Sequence, residues 1–230
     1  MNLAIDIGNT AVKWATFEGH TLKATGDSDV QELEALLGQA DKVLACASGE
    51  LPQLGTRLPV LDANMTMPIR LDYKTPQTLG ADRIADACGA WGLHPGEASV
   101  IIDAGTCITV DYLDASGVYH GGAIMPGLGM SLQALHTFTA KLPLVDITAV
   151  TTTPVLGRST EESIVAGTLG ATMLALAGYV ALYKQKSPSL HVLLTGGDDG
   201  RLTAAGATGW EHVPHLTLLG LNEIMNHDND

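Results

Sequence analysis

The residues best suited to chemistry in this chain are aspartates set in glycine-containing turns. Asp6-Ile7-Gly8-Asn9-Thr10 follows one apolar run, Asp103-Ala104-Gly105-Thr106 follows another, and Leu79-Gly80-Ala81-Asp82-Arg83 opens a stretch of helical character. Glycine lets a backbone N–H come close to a phosphate oxygen, and a neighbouring carboxylate can hold Mg2+ directly or through water. That combination suits phosphoryl transfer, whose catalysis is mostly positioning and charge neutralisation. In the first turn Asp6 would orient Mg2+, Gly8, Asn9 and Thr10 would cradle the β- and γ-phosphates, and Lys13 would reach the same groups. The residues also fit a plainer role, with Asp6 capping a hairpin and Lys13 standing in solvent.

Asp82 and Arg83 lie where a helix begins, so the backbone N–H groups and the dipole there favour an anion. Arg83 could fork onto a substrate carboxylate, and Asp82 could accept a proton from a substrate hydroxyl. An acidic residue in a first helical turn is equally an ordinary helix stabiliser. Asp103 and Thr106 would face a nucleotide from the other side. Gly121–Gly127 reads as a hairpin end and helix start, and Thr195-Gly196-Gly197-Asp198 as a strand-to-helix turn or a shelf for an adenosine. The sequence contains no G-x-x-x-x-G-K-[ST], G-x-G-x-x-G, G-x-S-x-G or H-E-x-x-H, so phosphate binding by a P-loop or a dinucleotide fingerprint is excluded.

The elements that must hold these residues follow from periodicity. Apolar runs at residues 2–7, 42–47, 99–103 and 191–195 predict buried strands, and alternation at 11–17 and 107–113 predicts strands with one face buried. A third strand is expected at 21–25 in the first half and 118–125 in the second. Helices are expected at 29–37, 78–91, 128–138, 160–183 and 216–226. The restart is the informative feature: strand, D-x-G turn and alternating strand occur twice, about half a chain apart. This predicts a duplicated α/β fold, with halves at residues 1–97 and 98–230 and the two turns facing each other across an interdomain cleft.

Composition narrows the partners. The 230 residues carry a formal charge of −13, with 46% hydrophobic and 16% charged residues. Nucleic acid and anionic membrane surfaces need Lys and Arg to neutralise phosphate, so neither is expected as a partner. Cys46, Cys88 and Cys107 have no CxxC or metal-ligand spacing and sit among apolar residues, which predicts buried thiols in a reducing, cytoplasmic compartment. Ser163–Tyr183 lacks charge and is long enough to cross a bilayer, but its Ala, Gly, Thr and Ser give little transfer energy into hydrocarbon. Burial in a core or a dimer interface is the expectation for it.

Five ordered segments together resemble the type III pantothenate kinase family, a branch of the acetate kinase, sugar kinase and actin-like superfamily. They are DIGNTAVKWA at 6–15, YKTPQTLGADR at 73–83, DAGTCITVD at 103–111, GGAIMPGLGMSLQAL at 121–135, and 157–167 with its STEESI. The resemblance implies two ribonuclease H-like (actin-like ATPase) domains, each a mixed sheet flanked by helices. It implies ATP-dependent phosphorylation of pantothenate to 4′-phosphopantothenate, the first step of coenzyme A biosynthesis. Asp6, Ile7, Gly8, Asn9, Thr10, Ala11, Val12 and Lys13 would then bind ATP, with Thr106. Tyr73, Gly80, Ala81, Asp82 and Arg83 would bind pantothenate, with Asp82 as proton acceptor. Asp103 would ligate a monovalent cation, K+ or NH4+, and Thr160 would touch pantothenate from the partner subunit of a homodimer. The alternatives are a non-catalytic regulatory member of the same family and a kinase for a related small metabolite.

Overall fold

The computed structural model describes residues 1–8, 11–27, 30–49, 55, 57–150 and 153–227. In chain order these form β1 (Asn2–Ile7), β2 (Val12–Glu18), β3 (Thr21–Asp27), α1 (Val30–Leu37), β4 (Lys42–Ala47), β5 (Arg70–Leu71) and α2 (Ala81–Leu93). Then follow β6 (Ser99–Ala104), β7 (Cys107–Leu113), β8 (Val118–Pro126), α3 (Leu128–Thr137), α4 (Thr160–Val165) and α5 (Ala171–Lys186). The chain ends with β9 (His191–Thr195), α6 (Asp199–Ala204), β10 (Glu211–His212) and α7 (Leu216–His227).

Two compact units result, residues 1–99, 113–121 and 215–230 in one and residues 100–112 and 122–214 in the other. The expected halves were continuous in sequence, whereas here the C-terminal segment belongs to the same unit as the N-terminal one.

The first unit is a mixed sheet of order β3-β2-β1-β4. β1 runs antiparallel to β2 and parallel to β4, in a register that sets Asp6 beside Lys13 on one flank and beside Cys46 on the other. Leu3, Ile5, Ile7, Trp14, Leu33 and Ala45 form a core between this sheet and α1. Burying each large aliphatic side chain there contributes about 1.5–3 kcal/mol. α2 and α7 pack against each other, with α7 also against β1. Their contact is built from small residues: a Cβ on Gly89 would lie 2.8 Å from Leu216, and a Cβ on Gly220 would collide with the Ala85 carbonyl oxygen. Polar ties complete it, Thr217 donating to the buried Asp86 at 2.7 Å and Asn2 donating to Asn222 at 2.9 Å.

The second unit repeats the plan. Its sheet runs β10-β9-β6-β7-β8, so β8-β7-β6-β9 carries the same third-second-first-fourth order as β3-β2-β1-β4. The duplication expected from the two D-x-G turns is therefore present as topology. The first residues of β8, Val118 and Tyr119, belong to the first unit and pair in parallel with Arg70 and Leu71 of β5.

One expectation needs correction. Cys46 and Cys88 are buried, but Cys107 is exposed. It is the first residue of β7, directly after the Gly105-Thr106 turn, before the strand enters the core. Within the single chain the uncharged helix is covered along one side, so the core does not bury it alone. Residues 160–186 form one continuous helix with a π-helical turn at Ala166–Gly170. Thr172, Leu176 and Val180, spaced by four, form its buried row, while Leu174 and Leu182 are exposed. By length and composition this helix could cross a membrane, a test that core helices of soluble proteins also pass.

Candidate active site

In the first unit, Asp6 lies one residue before the end of β1, where the sheet gives way to the turn. Gly8 N–H closes that turn on the Ala11 carbonyl at 3.0 Å, and the Ile7 carbonyl accepts from Ser48 and Gly49, each at 3.0 Å. Asn9 and Thr10, expected to cradle phosphate, lie outside the described residues. Cross-strand partners share a face of a sheet, so Lys13 and Cys46 flank Asp6 on one face. Cys46 Sγ–H donates to Asp6 Oδ1 at 3.2 Å. Burial pushes the Asp6 carboxyl above its ordinary value; the Cys46 hydrogen bond and the Lys13 ammonium oppose that, and the Asp82 charge adds to it. Lys13 and Asp82 thus both act on Asp6 within a single unit, one from the adjacent strand and the other from the start of α2.

α2 begins at a glycine N-cap, Gly80, in extended conformation, after a 3-10 turn at Pro76–Thr78. The helix therefore starts at Ala81 rather than at Thr78, because proline at the head of the 3-10 turn and the extended backbone at Leu79 and Gly80 separate the two. The cap supplies no side chain. Instead, Asp82 Oδ1 accepts from the Arg83 N–H at 2.8 Å. Arg83 is buried, with its guanidinium 5.9 Å from the centre of the Tyr73 ring. Tyr73 in turn lies against Tyr119, ring centres 6.1 Å apart, and over Gly121, where a Cβ would be 2.8 Å from the ring. Gly121 has φ +81°, a conformation costly for any residue with a Cβ. An aromatic face, a buried guanidinium and a carboxylate therefore sit together at the head of α2.

In the second unit, Asp103 occupies the position on β6 that Asp6 has on β1, one residue before the end of the strand. Its turn is braced by glycines. Gly105 N–H donates to the Cys107 carbonyl and Gly127 N–H to the Thr106 carbonyl, both at 3.0 Å. Asp198 N–H donates to the Ala104 carbonyl at 2.9 Å, and Gly196, with φ +98°, leaves no space for a Cβ against Ala104 and the Asp103 carboxylate. Thr106 is exposed at the tip.

Thr160, the first residue of α4, is exposed on the wall of a cavity of about 750 Å³ shared with Leu135, Leu142, Arg158, Ser159 and Ser163. Two bonds fix that corner: the N-cap Ser159 hydroxyl accepts from Glu162 N–H at 3.1 Å, and the Glu162 carboxylate accepts from Arg158 N–H, just before the cap, at 2.6 Å.

Sequence reasoning missed Cys46 and Gly121. The thiol was read only as a buried filler, and its relation to Asp6 depends on the β1–β4 register. A signal existed, since each residue is fifth in a six-residue apolar strand, but only parallel pairing gives it meaning.

Solved structures resemble this chain along nearly its whole length. A protein described as a candidate Baf-family transcriptional activator from Campylobacter jejuni aligns with TM-score 0.67 at 20% identity, covering 99% of this chain and 98% of that one. The ADPNP-bound activator of 2-hydroxyisocaproyl-CoA dehydratase from Clostridium difficile aligns with TM-score 0.59 at 16% identity, covering 99% and 94%. Together with similar sugar kinases, they define the class: an α/β protein of the actin-like fold. The sequence profile described as type III pantothenate kinase matches residues 51–182. A type III pantothenate kinase from Bacteroides fragilis is 40% identical over 100% of this chain and 99% of its own length. One from Cytophaga hutchinsonii is 35% identical over 99% and 100%. The chain belongs to the type III pantothenate kinase family.

Proposed function

We propose that this protein transfers the γ-phosphoryl group of ATP to the hydroxyl of pantothenate, giving ADP and 4′-phosphopantothenate, the entry step of coenzyme A synthesis in the cytoplasm. The observation that carries the reading is the pairing of Asp6 with Lys13 on adjacent strands, with the Asp82 charge acting on the Asp6 carboxyl and Arg83 and Tyr73 gathered at the head of the Asp82 helix. One carboxylate for the metal-bound nucleotide and another for the acceptor hydroxyl is what phosphoryl transfer to an alcohol requires.

Asp82 accepts the hydroxyl proton as the O–P bond forms, while Arg83 pairs with the pantothenate carboxylate and Tyr73, with Gly80 and Ala81, fixes its orientation. The segment Asp6, Ile7, Gly8, Asn9, Thr10, Ala11, Val12 and Lys13 receives the ATP phosphates, Lys13 as a point charge. Asp6 suits Mg2+ directly or through water, because a half-buried carboxylate held above its ordinary pKa gains from a cation. Bound Mg2+ would supply neutralisation of charge on the transferring group. Asp103, an acidic oxygen donor against the bare Gly196 backbone, suits a monovalent cation, K+ or NH4+, and Thr106 at its turn reaches ATP. Thr160 contacts pantothenate from the partner subunit of a homodimer, which would also cover Leu174 and Leu182.

The test is direct. Purified protein incubated with ATP, Mg2+, pantothenate and K+ or NH4+ forms a phosphorylated product that mass spectrometry identifies as 4′-phosphopantothenate. Absence of that product under every cation combination removes the reading.

A further inference from the structure

Asp6 is the one acidic side chain of the first turn, and its usefulness depends on which way its carboxylate faces. The side chain ends in a planar group that turns freely about its last torsion unless something holds one oxygen. On β4, directly across the parallel ladder, stands Cys46, fully buried. Its Sγ–H donates to Asp6 Oδ1 at 3.2 Å, within the range for a sulfur donor. Burial acts most strongly on the Asp6 carboxyl, and the Lys13 ammonium across the other ladder and the Asp82 carboxylate on α2 act on it through charge. Neither fixes a torsion as a hydrogen bond does.

We propose that Cys46 is a positioning residue for nucleotide binding, its thiol pinning Oδ1 of Asp6 so that Oδ2 is the oxygen presented to the cation that accompanies the ATP phosphates. This rests on the assignment of Asp6 to Mg·ATP. The thiol is suited to a donor's role and to no other. Its Sγ is fully buried and faces a carboxylate oxygen, which accepts and does not donate. An S–H donor is weak, so it orients the carboxylate without neutralising it, and it adds no charge to a sheet face that already holds Lys13.

The experiment compares wild type with Cys46→Ala and Cys46→Ser. Three quantities are read: Kd for Mg·ADP by calorimetry, kcat and KM for ATP and pantothenate, and the Mg2+ concentration giving half-maximal rate. Cys46→Ala should weaken Mg·ADP binding and raise the Mg2+ requirement by about three- to ten-fold, the scale of one modest hydrogen bond, with KM for pantothenate unchanged. Cys46→Ser keeps an –XH donor of similar size and should return both values to within about two-fold of wild type. Equal Mg·ADP affinity in Cys46→Ala and wild type overturns the proposal, as does a serine variant no better than the alanine one. A wild type that binds Mg·ADP but forms no 4′-phosphopantothenate defeats the proposed function instead, and the binding series still decides the role of Cys46.

Discussion

Gly89 and Gly220 meet where α2 crosses α7, so closely that a Cβ on Gly220 would lie 2.9 Å from the Gly89 backbone nitrogen. Helices normally pack with side chains between them, at interaxial distances of about 8–10 Å. Here backbone meets backbone, and α2, which carries Asp82 and Arg83, is seated by that contact. Gly220→Ala must therefore push the helices apart. We expect a destabilisation of about 1–3 kcal/mol, read in thermal melts as a fall of roughly 2–4 °C per kcal/mol. The kcat/KM for pantothenate should fall with it, because the shifted helix carries the proposed acceptor groups.

Asp6→Asn should separate stability from function. The carboxyl is held above its ordinary value of 3.8, chiefly by burial. A raised folded-state pKa means that folding favours the protonated form. The group's favourable contribution is complete below the unfolded value and is lost as pH rises through the folded one. At neutral pH the unliganded protein thus carries a charge that folding disfavours. The variant should melt higher than wild type at about pH 7, with the difference shrinking as pH falls towards about 4. Its stabilisation by Mg·ATP should be lost. Melting curves across pH, with and without Mg·ATP, test both parts.

Asp82→Asn keeps size and keeps an oxygen to accept from the Arg83 N–H, so the head of α2 should persist. Removing the proposed proton acceptor should lower kcat by about 10²–10⁴-fold, with Tm within about 2 °C of wild type. Steady-state kinetics beside a melting curve checks this. A Tm collapse would assign the residue to folding rather than to catalysis.

Gly121→Ala tests the Tyr73 ring. The added methyl meets the ring at 2.8 Å and sits on a backbone with φ +81°. The ring must tilt away, and kcat/KM for pantothenate should fall by about ten- to a hundred-fold, the cost of a misplacement near 1 Å. Mg·ADP affinity, which does not involve Tyr73, should hold. Calorimetry and kinetics on one preparation distinguish the two.

The parts legible in the sequence were those that local pattern encodes. The strands at Asn2–Ile7, Lys42–Ala47, Cys107–Leu113 and His191–Thr195 have the bounds expected of them, because each apolar or alternating run stops at a turn residue or a charge. The two D-x-G turns announced the repeat for the same reason. Arg70–Leu71 and Glu211–His212 could not be foreseen, since two residues carry no period and pair only because a neighbouring strand is there. The Asp6–Cys46 contact and the Gly89–Gly220 crossing depend on long-range register, which no window of sequence contains. Cys107 misled because composition around a residue says little about which end of a strand it occupies. Asn9 and Thr10 fall outside the described residues, so their assignment rests on the motif.

The return of α7 to the first unit also sets a timetable for biosynthesis. Residues 1–99 emerge from the ribosome early, yet the helix that covers β1 and seats α2 is translated only after residues 122–214 have been made. Until then the nascent chain must hold a half-covered sheet while a complete second unit forms behind it, the kind of exposed intermediate that chaperones guard. A premature stop just after Pro214 would leave every residue of the second unit in place and strip the first of its covering helix.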